Sequence, residues 1–109
     1  MALKVLFVST PMKGIEDVEL IKLRLHECLE EVRTLFPDDD VRLLNTVITD
    51  DIPDFLKADL YCLGTNIRRM SAADIVYFDN GWENARGCKI EHECAKEYGI
   101  ETILYYDKE

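Results

Sequence analysis

A chain of 109 residues with a formal net charge of −9 lacks the clustered Lys and Arg that polymeric nucleic acid or an anionic membrane would require. Hydrophobic residues at 48% and charged residues at 32% fit one soluble domain with a core of its own, and no apolar run is long enough to span a bilayer. A mononucleotide stays open as a ligand, because a single phosphate needs only a local group of donors.

Met1-Ala2-Leu3-Lys4-Val5 reads as the start of a strand rather than a signal peptide, so the expected location is cytoplasmic. Leu3 to Val8 is apolar apart from Lys4, which predicts a strand buried on both faces. Ser9 to Gly14 is a loop. Val18, Ile21, Leu25, Cys28, Leu29, Val32 and Leu35 then recur at helical spacing, and Pro37 ends that helix. Asp38-Asp39-Asp40 is a solvated turn. Val41 to Val47 predicts a second strand, placed near an edge by Arg42 and Asn45.

Thr49-Asp50-Asp51-Ile52-Pro53 carries helix-start chemistry, and Leu56, Leu60, Leu63, Ile67 and Met70 mark the helix that follows. Ile75 to Phe78 is a short strand. A helix over about Asn84 to Tyr98, capped by Gly99, and a last strand over Thr102 to Tyr106 complete the pattern. Strand and helix alternate, with four strands in all. The expected fold is therefore α/β: a small doubly wound parallel sheet with helices on both faces, Rossmann- or flavodoxin-like. Ligands of such sheets bind beyond the strands' C-terminal ends at the switch point. That point brings together the Ser9–Gly14 loop and the segment Asp79–Arg86.

Glu91 stands out in the third helix. Its neighbours one turn away, Gly87, Cys88, Cys94 and Ala95, are small or apolar, so the carboxylate shares the face pressed against the sheet. A buried carboxylate is costly unless something pairs with it or uses it. Its place near the helix start predicts that the dipole helps keep it ionised. Such a group suits either a nucleophile at a sugar carbon or a stabiliser of an oxocarbenium-like centre; alternatively it pairs with Arg68 or Arg69 across the sheet top. Around it, Arg86 and the helix-start N–H groups suit an anion. Gly87 leaves room for a ligand or for close helix packing. Trp82 suits a base or serves as a lid over the core, and Asp79 suits sugar hydroxyls. Asp74 is a turn or cap residue.

The four cysteines form no CxxC pair and read as reduced core residues. His26-Glu27-Cys28 and His92-Glu93-Cys94 do not make a metal site, because helical residues two apart point in nearly opposite directions. No metal and no cofactor are expected.

Gly87-x-x-x-Glu91-x-x-x-Ala95, after a strand opened by Ala73-Asp74, resembles the nucleoside 2-deoxyribosyltransferase superfamily. Phe7-Val8-Ser9-Thr10-Pro11-Met12 looks like a variant of its first strand and Gly-Pro-Met loop. The Gly81-Trp82-Glu83-x-x-x-Gly87 segment is similar to its small phage and bacterial branch. The resemblance implies N-glycosidic bond chemistry on a small nucleoside or nucleotide, with Glu91 as nucleophile and Asn66 on the leaving-group side. It also implies a binding wall of Phe7, Ser9, Thr10, Pro11, Met12, Asp79, Gly81, Trp82, Arg86 and Gly87, and a homo-oligomer, dimer or higher. Tyr61, Leu63 and Ile67 are its candidate self-association face, or simply core.

Three positions depart from the superfamily's pattern. Asn66 stands where a carboxylic acid is common, and an amide gives up no proton at neutral pH. Asp59 and Asp79 are the candidate substitutes. Phe7 stands for a tyrosine that orients the nucleophile, and Ala85 for a serine of phosphate-binding relatives. Loss of the acid favours a second reading, a nucleotide-binding module without turnover.

Overall fold

The computed structural model describes residues 2–12, 15 and 17–105. β1 (Leu3–Ser9), α1 (Val18–Leu35), β2 (Asp40–Leu43), α2 (Ala58–Met70), β3 (Ile75–Phe78), α3 (Arg86–Glu97) and β4 (Glu101–Leu104) alternate along the chain, with a 3-10 turn at Trp82–Asn84 before α3. The four strands form one parallel sheet in the order β2-β1-β3-β4. This is the expected α/β, Rossmann-like fold.

Side chains alternate across a strand, and that parity divides the core in two. Leu6 and Val8 of β1 and Ile75 and Tyr77 of β3 pack with Leu25, Cys28, Leu29 and Val32 of α1. Phe7, Val76 and Phe78 point the other way, onto Met70 of α2 and Ala95 of α3. All four residues of β3 are buried, as a central parallel strand covered by helices on both faces must be.

The helices end where local chemistry dictates. Asp17 caps α1, its side chain accepting from the Glu19 N–H at 2.9 Å. Gly99, at φ +69°, turns the chain out of α3 as expected of a helix-stopping glycine. Asp74 is a structural residue: its N–H donates to the Val5 carbonyl and its Oδ2 accepts from the Val5 N–H, both at 2.8 Å, fixing the register of β3 on β1.

Besides small shifts at the end of α3 (Glu97 for Tyr98) and in β4 (Glu101–Leu104 for a strand from Thr102), four features differ from expectation. Burial in β1 begins at Leu6, while Leu3 is exposed, because β3 joins β1 only from Leu6 onward. β2 stops at Leu43 rather than Val47. It is an edge strand, and the Asn45 and Val47 carbonyls accept from Arg69 of α2 at 3.3 and 3.2 Å. Thr49–Pro53 does not open a helix; the chain turns at Pro53–Leu56, and α2 begins at Ala58 without a side-chain cap. Ala85 is extended, so α3 starts at Arg86 and not Asn84. Met1, Lys13-Gly14 and Tyr106 of the expected elements lie outside the described residues. No described helix is long and apolar enough to cross a membrane.

Candidate functional site

The C-terminal ends of β1 and β3 lie side by side, Ser9 against Phe78, where the connections leave for opposite faces of the sheet. A cleft of about 740 Å³ opens there, within the range of small-molecule sites. Its lining brings together Phe7, Ser9, Thr10, Pro11, Met12, Asn66, Gly81, Arg86, Gly87 and Glu91 from the expected set.

Glu91 is 8% exposed, between Cys88 and Ala95, as its helical spacing predicted. No arginine reaches it: Arg69 is bonded to the 45–47 carbonyls, and the Ser9 hydroxyl donates to Glu91 Oε1 at 2.7 Å. Among the described residues nothing bonds Oε2. Strand parity explains the contact, because Ser9 shares the α3-facing side of β1 with Phe7. Ser9 thus supplies the hydroxyl that Phe7 lacks.

The protonation state departs from expectation. Burial pushes the Glu91 carboxyl up to about 7, against the opposing pull of the Ser9 hydroxyl. The helix dipole does not hold it ionised, since Glu91 lies beyond the first turn of α3, where that field fades. Replacing Ser9 by alanine removes the one hydrogen bond that favours the charged form. The expected result for Ser9→Ala is a carboxyl midpoint above 7, read by carbon-13 NMR titration of labelled glutamate; an unchanged midpoint would mean that the contact has no weight in solution.

Gly87 opens the cleft instead of serving close packing. A Cβ there would meet only Leu63 Cδ1 at 3.9 Å, an ordinary contact. Gly81 is conformational: its φ is +86°, which favours glycine at the turn below Pro11. Arg86 lies at the head of α3, 80% exposed, with Asp59 of α2 at 3.7 Å; so open a pair is weak and leaves the guanidinium available to an anion. Thr46 Oγ1 and Asn66 Oδ1, both on the cleft wall, are buried without a partner among the described residues.

Two expected ligand contacts lie elsewhere. Asp79 is 3% exposed and takes Arg24 Nε at 2.8 Å on Oδ2, Arg24 Nη2 on Oδ1, and the Thr10 hydroxyl at 2.8 Å. Burial works against its charge, but these bonds and the Asn80 N–H hold the carboxyl below its ordinary value. It has no capacity left for sugar hydroxyls or for donating a proton. Trp82 is the lid over the core. Its ring stacks on His92 at 4.4 Å and meets Phe78 at 5.4 Å, off the cleft wall. No group of His, Cys, Asp or Glu among the described residues could hold a metal, and the four cysteines are free.

Sequence reasoning missed Arg24. Its signal was present, because Arg24 lies one turn before the core residue Cys28 on the sheet-facing side of α1.

A search of curated protein sequences finds no match. Among solved structures, the crystal structure of a conserved protein from Enterococcus faecalis V583 is similar, with a TM-score of 0.58 at 19% identity. The match covers 94% of this chain and 62% of that one, so this chain spans less than two thirds of that protein and shares its fold. The profile of DUF4406, a domain of unknown function, matches residues 4–105, and the chain belongs to that family.

Proposed function

We propose that this protein cleaves or transfers the N-glycosidic bond of a small nucleoside or nucleotide, with Glu91 as nucleophile. The observation that carries the reading is the carboxylate itself: nearly buried at a ligand-sized cleft, one oxygen held by Ser9 and the other without a bond among the described residues. The likeness of Gly87-x-x-x-Glu91-x-x-x-Ala95 to the nucleoside 2-deoxyribosyltransferase superfamily supplies the reaction class.

In this mechanism Glu91 Oε2 attacks C1′ of the sugar. The C1′–N bond breaks with its electron pair leaving on the base, and a glycosyl ester on Glu91 results. Water or a second base then attacks C1′ and frees Glu91, giving hydrolysis or transfer. Only the ionised carboxylate is a nucleophile, so turnover rises as pH passes through 7. Burial also raises its basicity, which favours attack once the proton is lost. Arg86 at the head of α3 faces an anionic substituent such as a 5′-phosphate. With Asp79 committed to Arg24, and Asp59 exposed at the cleft mouth 3.7 Å from Arg86, the departing base takes its proton from water. The exposed apolar residues Leu60 of α2 and Ile90 of α3, with Phe55 in the turn before α2, support self-association.

Asn66 favours a second reading, a nucleotide-binding module without turnover, because the residue on the leaving-group side has no proton to give. A base-release assay separates the two. The protein and a Glu91→Ala control are incubated with 2′-deoxynucleosides and their 5′-monophosphates, with and without a second free base, and resolved by chromatography. Release or exchange lost in the control is the expected result. Saturable binding with no turnover of any substrate would establish the binding module, and neither would sink both readings.

A further inference from the structure

Between α1 and the cleft lies a polar network that the reaction as proposed does not use. Arg24 holds both oxygens of Asp79 in a side-on pair. Asp79 also accepts from Thr10 Oγ1 and from the Asn80 N–H, at 2.8 Å each, while its own N–H donates to the Ser9 carbonyl at 2.9 Å. Ser9 Oγ then donates to Glu91 at 2.7 Å. The path therefore runs from α1, through the end of β3 and the end of β1, to α3.

Strand parity makes this more than a chain of contacts. Ser9 faces α3, whereas Thr10 and Asp79 turn to the α1 side. The clamp grips the strand ends from behind, one residue beyond Ser9, and thereby fixes the backbone that aims the Ser9 hydroxyl. A planar guanidinium suits this, because its two N–H groups meet a carboxylate at two points where an ammonium makes one.

We infer that Arg24 is a positioning residue: through Asp79 and Ser9 it sets the hydrogen bond on Glu91 and hence the pH at which the site works. As a statement about turnover this rests on the N-glycosidic reading; as a statement about the carboxyl it does not. Other groups bearing on Glu91 are Asp59 and Cys62 of α2 and Arg86 and Cys88 of α3, which line the cleft, with Asp79 behind Ser9. The variants below leave all of them in place.

Arg24→Lys keeps the charge and removes the two-point grip. Positioning predicts that the Glu91 midpoint, read by carbon-13 NMR, rises by about one pH unit, the scale of one lost bond to a charged group. Thr10→Val, which leaves the ion pair intact, moves it the same way. In a Ser9→Ala background Arg24→Lys has no further effect, because the path has already been cut. Thermal unfolding confirms that each variant is folded before titration. If base release occurs, its pH profile moves with the midpoint, and turnover at pH 7 falls about fivefold as the ionised fraction drops. A midpoint that stays put in Arg24→Lys and Thr10→Val, or that moves equally with and without Ser9, overturns the inference. Absence of turnover leaves the NMR test intact and counts against the proposed reaction alone.

Discussion

Glu91→Gln is expected to abolish base release and, in the same molecule, to stabilise the fold at pH 8. A residue kept for packing or pairing would do the reverse. The carboxyl ordinarily titrates near 4.5 and here titrates near 7. Between those values the folded chain holds a proton that the unfolded chain has released. Glu91's contribution to stability therefore falls as pH rises through that window and is lowest above it. The span corresponds to a penalty on the order of 3 kcal/mol at pH 8, a large share of a small domain's stability. Glutamine has nearly the same shape, still accepts from Ser9 through its carbonyl oxygen and carries no charge to desolvate.

Urea unfolding at pH 8 should show the variant more stable by up to about that amount, and at pH 4 by little or nothing. Loss of stability at pH 8 would identify Glu91 as a structural partner and remove the main support for the site. Gain of stability with loss of turnover is the signature of a group retained for chemistry against the interest of the fold.

The position of Glu91 was legible in the sequence because helical spacing reports a face: a carboxylate between Cys88 and Ala95 has to meet the sheet. The same logic carried the parallel sheet and both helix layers, since runs such as Ile75–Phe78 are unambiguous once helices alternate with them. Asp79 shows where the reading stopped short. It was placed in the cleft because it follows β3, yet its parity with Ile75 and Tyr77 turns it toward α1 and Arg24. Counting two residues on from Tyr77 would have placed it. Ser9, by the same count from Phe7, belongs with Glu91. Trp82 gave no such signal, because a turn has no period; its stack on His92 depends on how the 3-10 turn folds back over Phe78. The start of α2 was misjudged for a different reason. Thr49–Pro53 has capping residues, but the chain there is still crossing from the β2 edge to the other face of the sheet, held by Arg69, and no helix begins until that crossing is complete.

The second large effect is a gain. Asn66→Asp places a carboxyl on α2 across the cleft from Glu91, on the leaving-group side of the proposed reaction. Partial burial and the neighbouring negative charge of Glu91 would both raise the introduced group's pKa, so that near neutrality it carries a proton to give. Asn66 Oδ1 has no partner among the described residues, so the substitution breaks no bond to them at that oxygen. General acid catalysis is worth about 10²–10⁴-fold, and base release should increase by at least the lower figure. The pH profile should change with it, from a rate that climbs through pH 7 to a bell whose falling limb is the introduced acid. Coupling between two carboxyls across one cleft would spread those limbs apart. An unchanged rate with an unchanged profile would show that the departing base takes its proton from water whatever stands at position 66. A rise in Asn66→Asp from no measurable turnover to a steady one would mean that the cleft binds and positions its substrate already, and that one amide separates a binding module from an enzyme.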